Sequence, residues 1–293
     1  MSIVIHYTSA HLNITADAMT GKLFIVATPI GNLDDISHRA IDTICQCDYI
    51  LAESSERTSK LLSKFNIDKK IVTFNKDNEK RKVGKIINDL VNGKRVALLS
   101  DAGTPAISDP AFELVRHHGD GFEISPIPGP SALTSALSIS PIPINNFIFL
   151  GFLPKKEIEI QKRLNEVKSL LFPVVIFENK NRLEKIINIV SREFGHETKI
   201  CIFREISKIH EEIKCGMAKT LINNFDKIKL SGEFTIIIDK MEKNQSEISD
   251  LTDKVEVLSK NYSTKEIVNI LSLFANFSKK DLYNFVLSIR QER

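Results

Sequence analysis

The sequence predicts an α/β protein with two α/β domains and a small helical module at its C-terminal end. Helical patterns alternate with short apolar strands through most of the chain, as an α/β architecture requires. With 293 residues the chain also exceeds the usual size of a single hydrophobic core. The predicted division is an N-terminal extension over 1–20, α/β domains over 21–140 and 144–241, and a helical module over 250–293.

The first predicted strand, 23–26, ends in the loop 27–35, where a proline and a glycine stand just past the apolar run. Asp34 or Asp35 is placed to cap the next helix, in which apolar residues recur every four positions. A second apolar strand follows at 49–52.

An apolar helical stripe over 83–91 leads into the strand 96–99, which has the pattern of a fully buried parallel strand. In open α/β sheets, ligands bind beyond the carboxyl ends of such strands. Asp101 follows directly and can accept from a hydroxyl or ammonium group. Gly103 permits close backbone approach and Pro105 stiffens the exit. The structural alternative is a strand-to-helix turn with an Asp cap.

A third strand at 122–127 runs into a Pro-Gly-Pro loop in which Ser131 is placed to cap the following helix. Three loops of this kind predict one shared cleft. No single loop is specific, because short Gly/Pro loops are common after strands and the Gly-x-Gly-x-x-Gly fingerprint is absent.

The second domain is predicted to begin after the Pro-punctuated junction 141–143. Its strand candidates are 147–150, 174–177, 200–203 and 234–238, with a helix over 183–190. A polar linker over 241–249 then leads to apolar residues at helical spacing, with Ser263 and Ser278 as N-caps of two or three short helices.

Hydrophobic residues at 42% and charged residues at 26% are ordinary globular values, and a net charge of +3 is too small to argue for nucleic acid by itself. The first 20 residues lack a signal-peptide pattern, and no stretch approaches the roughly 20 apolar residues of a membrane span. The cysteines show neither zinc-site spacing nor a secreted disulfide pattern. We therefore expect a cytoplasmic protein with no metal, no membrane partner and four reduced thiols, at Cys45, Cys47, Cys201 and Cys215.

Five separated segments agree, in sequence and order, with the pattern of one known family. They are 23–33, 100–110, 128–132, 149–156 and the set Arg204, Glu205, Lys208, Glu211, Glu212, Gly232 and Glu233. In these segments the chain resembles the tetrapyrrole methylase superfamily, and within it the branch of ribosomal RNA small subunit methyltransferase I.

The resemblance implies two α/β domains with a cofactor cleft between them, usually in a homodimer. It also implies S-adenosylmethionine-dependent methylation of the ribose 2′-hydroxyl of a cytidine in the decoding region of small-subunit ribosomal RNA, with naked RNA or the assembled small subunit as partner. Methyl transfer from a sulfonium needs positioned reactants and removal of one proton, and it needs no metal.

We place the cofactor against the three Gly/Pro loops, whose backbone amides can satisfy its carboxylate and adenine edge. The residues are Pro29, Ile30, Gly31, Ser100, Asp101, Ala102, Gly103, Thr104, Pro105, Ser131 and Ala132. Candidates to take the hydroxyl proton are Glu53, Glu178 and Glu205. Arg204 or Lys208 could orient a phosphate. The structural alternative for Arg204 and Glu205 is an intrachain ion pair at a strand end.

Segments 53–58, 74–79 and 177–183 depart from the family pattern, and they are expected in loops that face the RNA or the methyl acceptor. Two other hypotheses about the function remain. A tetrapyrrole methyltransferase would explain only the cofactor loops and would need an apolar slot for a macrocycle. A catalytically weakened RNA-binding relative would explain the altered loops but not the intact segment 100–105.

The helical module could dock RNA through basic side chains, although scattered lysines on short helices are more often a solvated face. These residues are Lys254, Lys260, Lys265, Lys279, Lys280 and Arg290.

Overall fold

A computed structural model describes residues 20–108, 111–240, 248–275 and 277–291, and within them the chain forms two five-stranded sheets. The strands of the first sheet are β1 (Lys22–Val26), β2 (Tyr49–Ala52), β3 (Ile71–Thr73), β4 (Arg95–Leu99) and β5 (Glu123–Ile127). Their order is β3-β2-β4-β1-β5, and each neighbouring pair is parallel. All five carboxyl ends therefore meet at one edge of the sheet.

Helices cover both faces of this sheet, which explains why β4 is buried at every position after its first residue. The helices of this half are α1 (His38–Gln46), α2 (Ser55–Lys64), α3 (Glu79–Val91), α4 (Phe112–Val115) and α5 (Ala132–Ser138). Apolar side chains of α1 and α2 pack on one face, and those of α3 and α4 pack on the other.

The start of α1 corrects one expectation. Ser37 caps this helix, because its hydroxyl accepts from the Ala40 amide at 3.1 Å. Asp34 and Asp35 lie instead in a preceding 3-10 helix, Leu33–Asp35. The prediction of an Asp cap was wrong because this extra turn separates the two aspartates from the helix.

The second sheet is mixed and has the order β6-β7-β10-β8-β9, in which only β6 and β7 are parallel. Its strands are β6 (Ile148–Phe152), β7 (Val174–Asn179), β8 (Lys199–Arg204), β9 (Glu212–Met217) and β10 (Glu233–Ile238). Helices α6 (Glu157–Lys168), α7 (Leu183–Phe194) and α8 (Ala218–Asn223) cover one face. On the other face, Ala136 and Leu137 of α5 pack against Phe203 and Ile237. Helix α5 thus joins the two halves.

The C-terminal module contains α9 (Thr252–Leu258), α10 (Thr264–Leu271) and α11 (Lys279–Gln291), packed around their own apolar core. Both predicted caps are confirmed: Ser263 forms a capping box with Glu266, and Ser278 Oγ accepts from the Asp281 amide at 3.1 Å. Arg290 is bonded within the module, to Ser259, Thr264 and the Tyr262 carbonyl, so its guanidinium is not part of a free basic face.

Two strands, β3 and β9, were not predicted from the sequence. Strand β9 determines the state of two cysteines. Strand β9 places Cys215 directly opposite Cys201 of β8, and the two form a disulfide. The expectation of four reduced thiols is corrected to two, Cys45 and Cys47. Apart from Thr20, the predicted N-terminal extension lies outside the described residues, as does most of the predicted linker. Among the described helices, none has the length and apolar character needed to cross a membrane.

Candidate active site

The three Gly/Pro loops of the first sheet are bonded to one another. Thr28 and Gly103 form an isolated bridge in which each amide donates to the other's carbonyl, at 2.9 and 3.0 Å. The Ser100 hydroxyl donates to the Gly103 carbonyl at 2.9 Å, and the Thr28 hydroxyl donates to the Ser100 carbonyl at 3.1 Å. Gly103 has a φ of +82°, a backbone conformation that favours glycine.

The third loop closes on the other two. The Thr104 hydroxyl donates to the Pro130 carbonyl at 3.5 Å, and a Cβ on Gly129 would stand 3.0 Å from Ala27 Cβ. Ser131 occupies the N-cap position of α5, but its side chain accepts no capping hydrogen bond. Together these contacts show that the three bends converge at the carboxyl edge of the first sheet.

A cavity of about 370 Å³ lies between this edge and the second sheet, a volume typical of small-ligand sites. The first half contributes the lining residues Ile30, Glu53, Arg57, Asp101, Ala102, Gly103, Thr104, Ile107, Ser108, Ser131 and Ala132. The second half contributes Phe152, Phe177, Glu178, Asn179, Phe203, Glu205, Ile206, Lys208, Glu233, Phe234 and Thr235.

On the first wall, Asp101 is held from two sides. Its Oδ1 accepts from the Ser54 amide at 3.0 Å, and its Oδ2 lies 3.3 Å from Arg57 Nη1. Burial, and then the negative charge of Asp101, raise the pKa of the neighbouring Glu53. This wall therefore carries two carboxylates and one guanidinium.

On the second wall, Glu205, Lys208 and Glu233 form a charged cluster. Lys208 Nζ lies 2.8 Å from Glu205 Oε1 and 2.9 Å from Glu233 Oε2, and the Glu233 amide donates to Glu205 at 2.8 Å. Burial alone would raise the pKa of Glu205, but the hydrogen bonds from Lys208 and the Glu233 amide lower it overall. Glu205 therefore holds its charge and has little tendency to accept a proton.

Glu178, at the end of β7, differs from Glu205 because its pKa is raised. Its side chain is 1% exposed, and burial raises its pKa although the Asn179 amide and Arg182 both oppose the shift. Oε1 accepts from the Asn179 amide at 2.8 Å. Oε2 lies 3.1 Å from Arg182 Nη2 but makes no hydrogen bond of good geometry in the described part of the chain. Arg182 is itself fixed by the carbonyls of Leu153 and Pro154.

The structure brings most of the residues singled out from the sequence into this cavity. Those that line it are Glu53, Glu178, Glu205, Lys208, Ile30, Asp101, Ala102, Gly103, Thr104, Ser131 and Ala132. Those outside the lining are Pro29, Gly31, Ser100, Pro105 and Arg204. Ser100 supports the lining from behind through its bond to Gly103.

Arg204 has a structural position. Its buried guanidinium donates to the Ser231 carbonyl at 2.7 Å and to the His210 carbonyl at 2.8 Å, and it lies 3.6 Å from Glu212. It therefore ties together the two chain segments that carry Glu205 and Glu233. The alternative of a structural ion pair at the strand end fits Arg204, but with Glu212 in place of Glu205.

Several lining residues were not among the candidates. Arg57, Asn179 and Glu233 belong to segments that were compared with the family pattern, and Phe177, Phe203 and Thr235 belong to predicted strands. A signal existed for Phe177 and Phe203, because each is the last residue of a predicted strand and α/β sites form beyond the carboxyl ends of strands. Antiparallel β10 starts at that edge, beside the ends of β7 and β8, and this pairing could not be read from the sequence.

The comparisons with known proteins agree on one class. The pattern of the Tetrapyrrole (Corrin/Porphyrin) Methylases matches residues 22–222. The fold resembles that of a cobalamin biosynthetic enzyme, cobalt precorrin-4 methyltransferase, with a TM-score of 0.58 over 78% of this chain and 98% of that one, at 17% identity. Fold and cavity therefore define a methyltransferase of the tetrapyrrole methylase class.

Curated relatives show which family within this class the chain belongs to. Ribosomal RNA small subunit methyltransferase I of Thermotoga maritima is 41% identical over 223 residues, which are 76% of this chain and all of that protein. The protein of the same name from Halalkalibacterium halodurans is 33% identical over 90% of this chain and 94% of its own length. The chain belongs to the ribosomal RNA small subunit methyltransferase I family. It is a methyltransferase, and its methyl donor is S-adenosylmethionine.

The residues present fit this donor. Five carboxylates line the cavity, against the two cations Arg57 and Lys208, so the lining favours a ligand with a positive sulfonium and a positive ammonium group. No group of three or more His, Cys, Asp or Glu side chains in the described ranges is arranged to hold a metal ion.

Proposed function

We propose that the protein methylates the ribose 2′-hydroxyl of a cytidine in the decoding region of small-subunit ribosomal RNA. Support comes from its family, whose curated members are named for the small-subunit ribosomal RNA. The observation that carries the chemistry is the buried carboxylate of Glu178, which lines the cavity with a raised pKa and an oxygen without a hydrogen bond.

Within this proposal the first half of the site binds the donor. S-adenosylmethionine supplies an electrophilic methyl group on a positively charged sulfur. The backbone of Ile30 and of the segment 101–104, with Ser131 and Ala132, provides donors and acceptors for its polar ends, and Glu53 and Asp101 stabilise its positive charge.

The second half of the site binds the methyl acceptor, the ribose 2′-hydroxyl, and removes its proton. As the ribose 2′-oxygen forms a bond to the methyl carbon, the carbon–sulfur bond breaks and its electron pair stays on sulfur. Glu178 accepts the hydroxyl proton at this stage, because a ribose hydroxyl is too weak an acid to ionise beforehand. Glu205 is less suited to this role, since Lys208 and the Glu233 amide already occupy its Oε1.

Partners and location belong to the same proposal. We expect small-subunit ribosomal RNA or the assembled small subunit as acceptor, a cytoplasmic location and a homodimer. Ile213 and Met217 on edge strand β9 are 45% and 42% exposed, an apolar surface that a second copy could cover. Sedimentation of the purified protein tests the dimer. Limited proteolysis, with cleavage expected near 241–249, tests the boundary between 144–241 and 250–293. At 141–143 the side chain of Ile142 is buried, so the division between 21–140 and 144–241 stays a prediction from the sequence.

The decisive experiment is transfer of a labelled methyl group to small ribosomal subunits that lack it, followed by mapping of ribose methylation. The expected result is one labelled cytidine, with its phosphodiester bond resistant to alkali. Saturable S-adenosylmethionine binding without any transfer to subunits or naked RNA would contradict the proposed RNA substrate. Absence of saturable S-adenosylmethionine binding would contradict the assignment of the protein as a methyltransferase.

A further inference from the structure

A second concavity, of about 320 Å³, lies outside the active-site cavity. It is lined by Lys180, Asn181, Glu184, Phe225 and Leu230, from the turn after β7, the first turn of α7 and the segment after α8. We call it the flanking groove. None of its residues has a role in the site described above.

The polar side chains of this groove are free to bind a ligand. Lys180, Asn181 and Glu184 are exposed, and none of the three side chains takes part in a hydrogen bond or ion pair within the described ranges. Most other charged side chains near α7 are paired: Lys185 and Arg192, for example, both contact Glu157. The groove therefore gathers one cation, one amide and one carboxylate that the fold does not use.

The apolar part of the groove consists of the side chains of Phe225 and Leu230. Phe225 is partly buried against the core of the second half, and Leu230 is 47% exposed. A partly buried aromatic ring that lines a groove offers a stacking platform for a nucleobase. Lysine binds phosphate as a point charge, and asparagine and glutamate side chains hydrogen-bond base edges.

The groove and the active site are lined by neighbouring residues of the chain. Asn179 lines the cavity, and Lys180 and Asn181 follow it directly, so their Cα atoms lie within about 7.6 Å of that of Asn179. The turn is fixed, because the amides of Asn181 and Arg182 both donate to Asn179, at 3.2 Å each. A fixed turn thus holds the residues of the groove next to a residue of the cavity wall.

We propose that the flanking groove binds a nucleotide next to the methylated cytidine, with its base against Phe225 and its phosphate at Lys180. This inference rests on the proposed function, since it assigns part of the same RNA strand. It gives the enzyme a means of choosing its target by sequence context, through residues that do not touch the methyl donor.

The test compares Phe225→Leu and Lys180→Ala with wild type in methyl transfer to small-subunit RNA. Leucine keeps the apolar packing but removes the ring, so the fold is preserved. We expect the KM for RNA to rise about tenfold in Phe225→Leu, with kcat and the Kd for S-adenosylmethionine unchanged. For Lys180→Ala, the slope of log binding constant against log salt should become shallower by about 0.7, the value of one single-strand phosphate contact.

Lys85→Ala, which removes an exposed lysine from α3, is the matched control and should leave the slope unchanged. A KM for RNA within twofold of wild type in Phe225→Leu, or an unchanged slope in Lys180→Ala, would overturn the groove assignment while wild type remains active. Failure of wild type to methylate RNA would instead overturn the proposed function.

Discussion

Gly31 lies directly against Lys208, at a point where the two halves of the molecule touch. A Cβ built on Gly31 would overlap Lys208 Cγ and stand 3.0 Å from the Ser207 carbonyl oxygen. Beside this contact the Asn32 amide donates to the Ser207 hydroxyl at 3.3 Å, and that hydroxyl donates to Asp35. The absence of a side chain at position 31 thus lets the loop that carries Glu205 and Lys208 close over the first sheet.

Gly31→Ala should weaken the binding of S-adenosylmethionine. The new methyl group must push Lys208 and the Ser207 backbone outward, and Glu205 moves with them because it is bonded to Lys208. We expect about a tenfold rise in Kd, equivalent to about 1.4 kcal/mol, measured by calorimetry.

Gly84→Ala is the matched control for this change. Gly84 lies within α3, and a Cβ there would meet nothing within 4 Å. This variant should bind the donor like wild type and raise the free energy of unfolding by about 0.5–1 kcal/mol, since alanine favours a helix. Equal affinity in Gly31→Ala and Gly84→Ala would contradict the close approach at position 31.

How much the sequence predicts depends on how local each feature is. The buried strand β4 and the loop after it follow from an uninterrupted apolar run that ends in small, turn-forming residues. In contrast, β3 has three half-buried residues, and β9 alternates charged, glycine and apolar positions at a sheet edge. With three residues, β3 is too short to carry a signal of its own. The alternation in β9 is a strand signal that the sequence analysis missed, in a segment whose charged and glycine residues are unfavourable in strands.

The same distinction applies to the residues of the candidate site. The converging loops are local motifs, and their residues could be found one strand at a time. The structural position of Arg204 depends on Ser231 and His210, and the cluster around Lys208 depends on Glu233, all brought together by strand pairing. Sequence spacing gives no access to these pairings, so Arg204 could be taken for a phosphate ligand.

Removal of the disulfide should destabilise the second half without changing the site. Cys201 and Cys215 are 14 positions apart, and closing a loop of this length removes about 3 kcal/mol of chain entropy from the unfolded state. Cys215→Ser should lower the melting temperature. Cys45→Ser, at an exposed free cysteine, should not. If both variants melt like wild type, the bond adds nothing to stability.

Asp101→Ala should weaken donor binding more than Arg57→Ala does. The first change removes a carboxylate from the cavity wall and also leaves the Ser54 amide without its acceptor. The second removes only the cation that partly neutralises that carboxylate. We expect about a tenfold rise in Kd for Asp101→Ala and a smaller change for Arg57→Ala. An equal loss in both would mean that Asp101 serves only to hold Arg57.

Glu178→Gln should abolish most of the methyl transfer and change its pH dependence. The base must be ionised, and burial places its pKa above the usual 4.5 of a glutamate, so the wild-type rate should rise with pH through that shifted value and then level off. Glutamine keeps the shape and can still accept from the Asn179 amide. We expect kcat to fall about 100-fold or more, the rising limb to disappear and the Kd for S-adenosylmethionine to stay within twofold.

Stability gives an independent check on the same carboxylate. Because the folded pKa of Glu178 is raised, the group contributes stability below its unfolded pKa, and this contribution is lost as pH rises through the folded pKa. At neutral pH wild type therefore bears the cost of a buried charge that Arg182 only partly offsets. Glu178→Gln should melt at a higher temperature than wild type at pH 8, and the difference should shrink towards pH 4. A variant less stable at pH 8 would show that the ion pair with Arg182 outweighs burial, and Glu178 would then be a fixed anion unsuited to accept a proton.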